Sequence, residues 1–187
     1  MRCGLLGEKL GHSYSPALHA LFGDYDYELF EVSPDRLGDF LRVRDFQGLN
    51  VTIPYKTTML AICDDLTETA ATIGSVNTVL KQLDGSLLGD NTDAAGFEGM
   101  VWKSRIRILG RKCLVLGSGG ASLSAQYVLR KLGAGEVVVI SRTGENNYDN
   151  LDRHQDAAVI VNATPVGMYP NTAASPVDLR QFPHCEG

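Results

Sequence analysis

The sequence predicts an α/β protein built from two α/β units. Strand-like and helix-like segments alternate along the whole chain, the pattern of parallel sheets with crossover helices. The apolar run KCLVLG (112–117) leads straight into a glycine-rich turn and a helical pattern. Near residues 101–110 a helix gives way to a fresh β-α-β series, so domains are expected at 1–101 and 102–187.

Each element has its own signal. Arg2 to Gly7 is a short apolar strand, and Pro16 starts a helix at a position where its missing N–H is harmless. Tyr25 to Val32 reads as a strand. Ser33-Pro34 opens a helix to about Arg44, with Leu37, Phe40 and Leu41 at helical spacing. Gly48 to Thr52 is a third strand, and 55–64 is expected to be helical. Asn77 to Gln82 and Ser86 to Gly89 flank Asp84-Gly85, a strong hairpin signal. A helix follows from Thr92 to Lys103, capped by Thr92 or Asn91. In the second unit, Lys112 to Gly117 is a strand and Leu123 to Leu132 a helix ended by Gly133. Glu136 to Ile140 and Ala157 to Val161 are further strands.

Composition narrows the function classes. The chain has 187 residues, 44% hydrophobic and 21% charged, with a net charge of -5. Its pI of about 5.3 argues against nucleic acid as a partner, because neutralising phosphates needs a basic face. No apolar run is long enough to span a membrane. Cys3, Cys63, Cys113 and Cys185 form no CxxC pair and read as buried free thiols, which suits a cytoplasmic protein. The four histidines lack metal-ligand spacing, so no metal is expected.

The segment VLGSGGASLSAQYVL fits strand, glycine turn and helix, a Rossmann-like arrangement. Gly117, Ser118, Gly119, Gly120 and Ala121 form the candidate phosphate turn. Gly117 makes the tight turn, Gly119 admits a pyrophosphate, and the first N–H groups of the helix face its charge. Ser122 replaces the usual third glycine, and the plain alternative is a tight strand-to-helix connection. After the next strand, Ser141, Arg142 and Thr143 stand where an acidic residue would bind the ribose of NAD. Arg142 pairing with a 2′-phosphate favours NADP, while the alternative is a solvated arginine beside Glu145.

In the first unit, polar side chains crowd the ends of apolar strands: Ser13 and Ser15 in GHSYSP, Lys56 in GLNVTIPYK, Asn77 in IGSVNT and Asp93 in GDNTDAAGF. Ligands of open α/β sheets bind beyond such ends. Hydroxyls, amides, one lysine and one aspartate suit a small polyhydroxylated acid. Taken alone, Lys56 and Asp93 also read as a salt bridge, Ser15 as a helix cap and Asn77 as a turn residue.

In content and order, these segments followed by GSGGAS, SRT and NATPVGM resemble the shikimate dehydrogenase family over nearly the whole chain. The resemblance implies NADP-dependent interconversion of 3-dehydroshikimate and shikimate, in aromatic amino acid biosynthesis. It implies Lys56 and Asp93 as the catalytic pair, with Lys56 the general acid-base group. Ser13 and Ser15 then bind the substrate carboxylate, and Thr52, Asn77 and Asp93 the ring hydroxyls. Thr164, Pro165 and Gly167 become neighbours of the cofactor. His12 is either close to the carboxylate site or structural.

The resemblance stops at FPHCEG, where family members continue, so the chain is expected to be C-terminally incomplete and weak or inactive alone. The apolar residues of TAASPVDLRQFPHCEG are expected to lack partners, leaving a sheet edge that a second copy could pair to form a homodimer. The alternatives are a quinate/shikimate dehydrogenase using NAD and a non-catalytic ligand-binding fragment.

Overall fold

A computed structural model of the chain describes residues 1–11 and 13–187; His12 lies outside them. The chain divides into two compact units, Met1–Thr92 and Asp93–Gly187.

The first unit holds strands β1 (Arg2–Gly7), β2 (Asp26–Glu31), β3 (Gly48–Val51), β4 (Asp65–Leu66), β5 (Thr78–Lys81) and β6 (Leu87–Asp90) in one sheet of order β2-β1-β3-β5-β6-β4. Its helices are α1 (Ser15–His19), α2 (Leu37–Val43) and α3 (Glu68–Ile73). The sheet is mixed rather than parallel, because β5 runs antiparallel to both β3 and β6. The β5–β6 pairing comes from the expected turn: Gly85 takes φ +87°, and Asp84 Oδ1 accepts the Ser86 N–H at 2.9 Å.

Side-chain alternation gives the sheet two different faces. Leu6, Phe30, Leu49, Val51 and Val79 join Leu37 and Leu41 of α2 in the core. Complete burial of a side chain such as Leu6 contributes about 1.5–3 kcal/mol. The registers Cys3↔Tyr27, Leu5↔Asn50 and Asn50↔Thr78 put Tyr27, Asn50 and Thr78 on the opposite face.

Two helix expectations change. Residues 55–64 form only a 3₁₀ turn at Thr58–Ala61, since the paired threonines 57 and 58 are stiff and favour helix poorly. The helix expected from Ser33 starts as a 3₁₀ turn at Pro34–Arg36 before becoming α2. α3 is an addition whose signals were present: Thr67 caps the Ala70 N–H, and Gly74 closes the helix at φ +73°.

The second unit contains a parallel sheet, order β8-β7-β9, of β7 (Lys112–Leu116), β8 (Glu136–Ile140) and β9 (Val159–Asn162). α4 (Asp93–Ser104) and α5 (Gly120–Lys131) belong to this unit. α4 therefore falls after the division rather than before it. Its Phe97 and Val101 pack against a core containing Ile108, Cys113, Val115 and Leu129.

The final stretch corrects another expectation. Val177 and Phe182 are buried with Leu114, Leu116 and Ile140, and Cys185 packs against them. The Glu186 N–H donates to the Ala158 carbonyl and the Ile160 N–H to that of Gly187, so the last residues pair along β9. All four cysteines are free thiols; Cys113 is buried and the others are half-buried. No helix among the described residues is long and apolar enough to cross a membrane.

Candidate active site

In the first unit, Ser13 and Ser15 lie at the entry to α1, Ser13 half-buried. Ser15 is the first helical residue, and its N–H donates to Ser13 Oγ at 3.2 Å. Ser15 thus does not cap the helix, and Tyr14, at the cap position, makes no side-chain bond there. His19, one turn after Ser15, stacks on Tyr27 with ring centroids 3.7 Å apart, and its Nδ1 lies 2.6 Å from the Tyr25 hydroxyl. The Tyr27 hydroxyl donates to Asn50 Oδ1 at 2.7 Å. Burial pushes the Tyr27 phenol up to about 12, against the opposing effect of a hydrogen bond with Ser15.

Thr52 and Lys56 follow β3 on an anchored backbone. The Thr52 N–H donates to the Leu6 carbonyl at 2.9 Å, and its own carbonyl accepts the Tyr55 N–H at 3.0 Å. Tyr55 is almost completely buried and donates its hydroxyl to the Val32 carbonyl. The Lys56 carbonyl accepts the Val76 N–H at 2.8 Å. Lys56 itself is half-buried and follows the anchored Tyr55 directly.

Asn77 is buried just before β5 and is tied to the residue that follows Asn91. Its Oδ1 accepts the Thr92 N–H at 2.8 Å, and its Nδ2 donates to Thr92 Oγ1 at 3.1 Å. Thr78 Oγ1 also donates to Asn77 Oδ1, at 3.0 Å. Asn91 Nδ2 donates to the Ser75 carbonyl at 2.8 Å. These bonds place an amide and two hydroxyls at the ends of neighbouring antiparallel strands.

In the second unit, three loops meet at the carboxyl ends of the parallel strands. Gly117 follows β7 with φ +106°, and a Cβ there would stand 3.1 Å from the Ala163 carbonyl oxygen and 3.1 Å from Thr164 Cγ2. Gly119 is the N-cap of α5 and supplies no side-chain hydrogen bond, and a Cβ there would meet nothing within 4 Å. The first amides of α5 therefore open onto space with unsatisfied N–H groups and the positive end of the helix dipole. Ser118 and Ala121 are exposed beside Gly119, and Gly120 begins the helix. Ser122, standing in for a third glycine, is completely buried, and its Oγ accepts from Gln126 Nε2 at 3.1 Å.

Beyond β8, Ser141 is half-buried and its N–H donates to the Asn146 carbonyl at 3.1 Å. Arg142 and Thr143 project as exposed residues from this loop. Glu145 is braced from below, its carbonyl accepting Asn150 Nδ2 at 2.9 Å.

The NATPVGM loop after β9 is held by Asn162. Its Oδ1 accepts the Thr164 N–H at 3.0 Å and the Thr164 hydroxyl at 2.7 Å, while its Nδ2 donates to the Val166 carbonyl at 2.9 Å. Thr164 and Gly167 line a cavity of about 510 Å³ with Asn162, Val166 and Met168. Pro165 is exposed and is not part of that wall.

The geometry adds Tyr27, His19, Asn50 and Asn162 to the residues expected from the sequence. Asn50 had a signal: Asn50 and Thr52 flank the buried Val51, so their alternation puts them off the core face. Tyr27 had none, because nothing local says which neighbour its hydroxyl meets.

Residues 5–79 match the family model of the shikimate dehydrogenase substrate binding domain. The shikimate dehydrogenase (NADP(+)) of Clostridium perfringens strain 13 is 37% identical over 190 residues, covering 90% of this chain and 70% of that protein. Shikimate dehydrogenase 1 from Peptoclostridium difficile superposes with a TM-score of 0.88 at 34% identity, over 96% of this chain and 73% of that one. The shikimate 5-dehydrogenase of Thermus thermophilus, solved with NADP(H) and shikimate, gives a TM-score of 0.83 at 37% identity, over 98% of this chain and 75% of that one. By sequence and fold together, the chain belongs to the shikimate dehydrogenase family.

Proposed function

We propose that this protein interconverts 3-dehydroshikimate and shikimate with NADP(H), working on small molecules in the cytoplasm. The observation that carries this reading is the likeness to the Thermus thermophilus enzyme, whose structure holds both NADP(H) and shikimate. The residues of the second unit fit the dinucleotide. Gly117 makes a turn at φ +106° that a side chain would strain, Gly119 leaves room above the first amides of α5, and Arg142 and Thr143 stand exposed at the end of β8. Gly117, Ser118, Gly119, Gly120 and Ala121 would take the pyrophosphate, and Ser141, Arg142 and Thr143 the 2′-phosphate. Thr164, Pro165 and Gly167 would border the nicotinamide end. When bound, NADP(H) supplies or accepts the hydride.

This chain's own residues manage the proton and the orientation. Ser13 and Ser15 donate hydroxyl hydrogens to the substrate carboxylate. Thr52 and Asn77 contact ring hydroxyls, and Asp93 orients the hydroxyl that reacts. Lys56 gives a proton from its ammonium to the carbonyl oxygen as the carbonyl is reduced, and takes it back when the alcohol is oxidised. Its anchored main chain limits where the ammonium can reach, which is what positioned proton transfer requires.

The test is shikimate-dependent NADPH formation by the purified chain, set beside quinate and NAD. Turnover that falls about 10²–10⁴-fold in Lys56→Ala supports the assignment. Turnover that survives the substitution would remove Lys56 from the chemistry. Saturable shikimate binding with no hydride transfer would leave a ligand-binding protein instead.

A further inference from the structure

We propose that a cavity in the second unit, at the end of α4, binds a small amphiphilic carboxylate. The apolar body of the ligand enters the cavity, and its anionic head rests on Arg105 and Arg107. The site stands apart from the shikimate and NADP(H) reading and uses none of its residues.

The cavity has a volume of about 390 Å³ and lies wholly within the second unit. Small-molecule sites run from about 300 to 1,000 Å³ and combine an apolar lining with a few placed polar groups. Ile108, buried in the core of the unit, forms the wall with the half-buried Val101, Ile106 and Leu132 packed beside it. Trp102 and Leu109 stand at the solvent side, 72% and 65% exposed. An exposed indole beside an open apolar hollow is surface that a ligand can remove from water. The charged residues on the lining are Arg105 and Arg107.

Charge selects the ligand. The chain carries a net charge of -5, yet residues 103–112, KSRIRILGRK, hold five cations and no acidic residue. Arg111 pairs with Glu186, and Lys112 with Glu136 and Asp156. Among the described residues, no ion pair engages Lys103, Arg105 or Arg107. The backbone points the same way. Arg105 directly follows α4 at φ +61°, a left-handed position that glycine usually takes after a helix. Arg44 follows α2 at φ +50°, but its guanidinium is occupied by Asp64 and the Gly85 carbonyl. Arg105 has no such internal partner among the described residues, so its strained backbone holds an uncommitted guanidinium on the cavity wall. A guanidinium offers paired N–H donors that match a carboxylate. An apolar body with a carboxylate head satisfies both halves of the site.

Trp102 is the only tryptophan, so its emission reports on the cavity directly. The test is titration of the whole chain with octanoate, its uncharged counterpart octanamide, and hexanoate. Octanoate should shift the Trp102 emission saturably and bind more tightly than octanamide. Shortening to hexanoate should weaken binding about fourfold per methylene. Raising the salt concentration should weaken octanoate and not octanamide. Arg105→Gly should weaken octanoate about three- to tenfold, the exposure of the guanidinium keeping the effect modest. Its thermal midpoint should not fall, because glycine adopts φ +61° without strain. Arg107→Gln should weaken octanoate similarly, and both variants should match the parent in shikimate and NADP titrations. No saturable shift, equal affinity for octanoate and octanamide, or full affinity in both variants would overturn the inference. A response confined to an acidic peptide would also overturn it, by making this face a protein contact. None of these outcomes bears on the reaction proposed above, whose own test is turnover of shikimate.

Discussion

The side chain of Asn77 grips the backbone and hydroxyl of Thr92, accepting the N–H at 2.8 Å and donating to Oγ1 at 3.1 Å. One buried amide thus fixes the exit from β6, and the next residue along the chain is Asp93. The proposed substrate contacts depend on that bracket as much as on their own chemistry.

Asn77→Ala removes both of these bonds and the one accepted from Thr78 Oγ1, and should destabilise the first unit by about 1–2 kcal/mol. Urea unfolding would show this as a lower midpoint. Shikimate affinity should fall with it, while NADP affinity, which depends on the second unit, should not. A midpoint equal to that of the parent would mean that the bracket contributes nothing to stability.

The two glycines of the turn between β7 and α5 should respond differently to alanine. At Gly117, φ +106° and close neighbours at 3.1 Å penalise any Cβ, so Gly117→Ala should lose about 1–3 kcal/mol of stability. At Gly119 the backbone is extended and the space open, so Gly119→Ala should fold with a change under about 0.5 kcal/mol. It should nonetheless weaken NADP binding, because the methyl stands where a pyrophosphate would approach. Thermal melts and NADP titrations of the pair would separate strain from occlusion.

Arg142 should set the preference between cofactors. Arg142→Ala should weaken NADP binding about tenfold and leave NAD binding unchanged, the exposed position keeping the effect small. Equal losses for both cofactors would mean that Arg142 does not read the 2′-phosphate.

His154 should make the stability of the second unit pH-dependent. It is buried after β8, with Nε2 3.1 Å from Asn146 Oδ1 and Nδ1 without a partner among the described residues. Burial lowers its pKa, the charge of Lys112 adds to this, and Glu136 and Asp156 oppose it. The unfolded chain therefore binds the proton more readily than the folded one. Stability is complete above the ordinary histidine value of about 6.5 and is lost as pH falls from there through the lowered folded value. Melting at stepwise lower pH should show that decline, and His154→Gln should flatten it. An identical slope in the variant would assign the acid sensitivity elsewhere.

Much of this protein was legible before its fold. Alternation of two periods marked most of the strands and helices, Asp84-Gly85 marked the hairpin, and GSGGAS after an apolar strand marked the glycine turn from β7 into α5. These features are local, set by how neighbouring residues share a face or a turn. Helix propensity is less reliable where Thr57 and Thr58 stiffen the chain, and α3, bracketed by Thr67 and Gly74, is too short to show a clear helical period.

Which groups meet was decided only by tertiary structure. Tyr27 reaches Asn50 because the strand order is β2-β1-β3, and Gly117 lies against Thr164 because β9 packs beside β7. Val177 and Phe182 find a core that no local pattern announces. Sequence periodicity assigns each side chain to a face of its own element. Strand order and register, which depend on contacts between residues far apart in the chain, then choose its partner across that face.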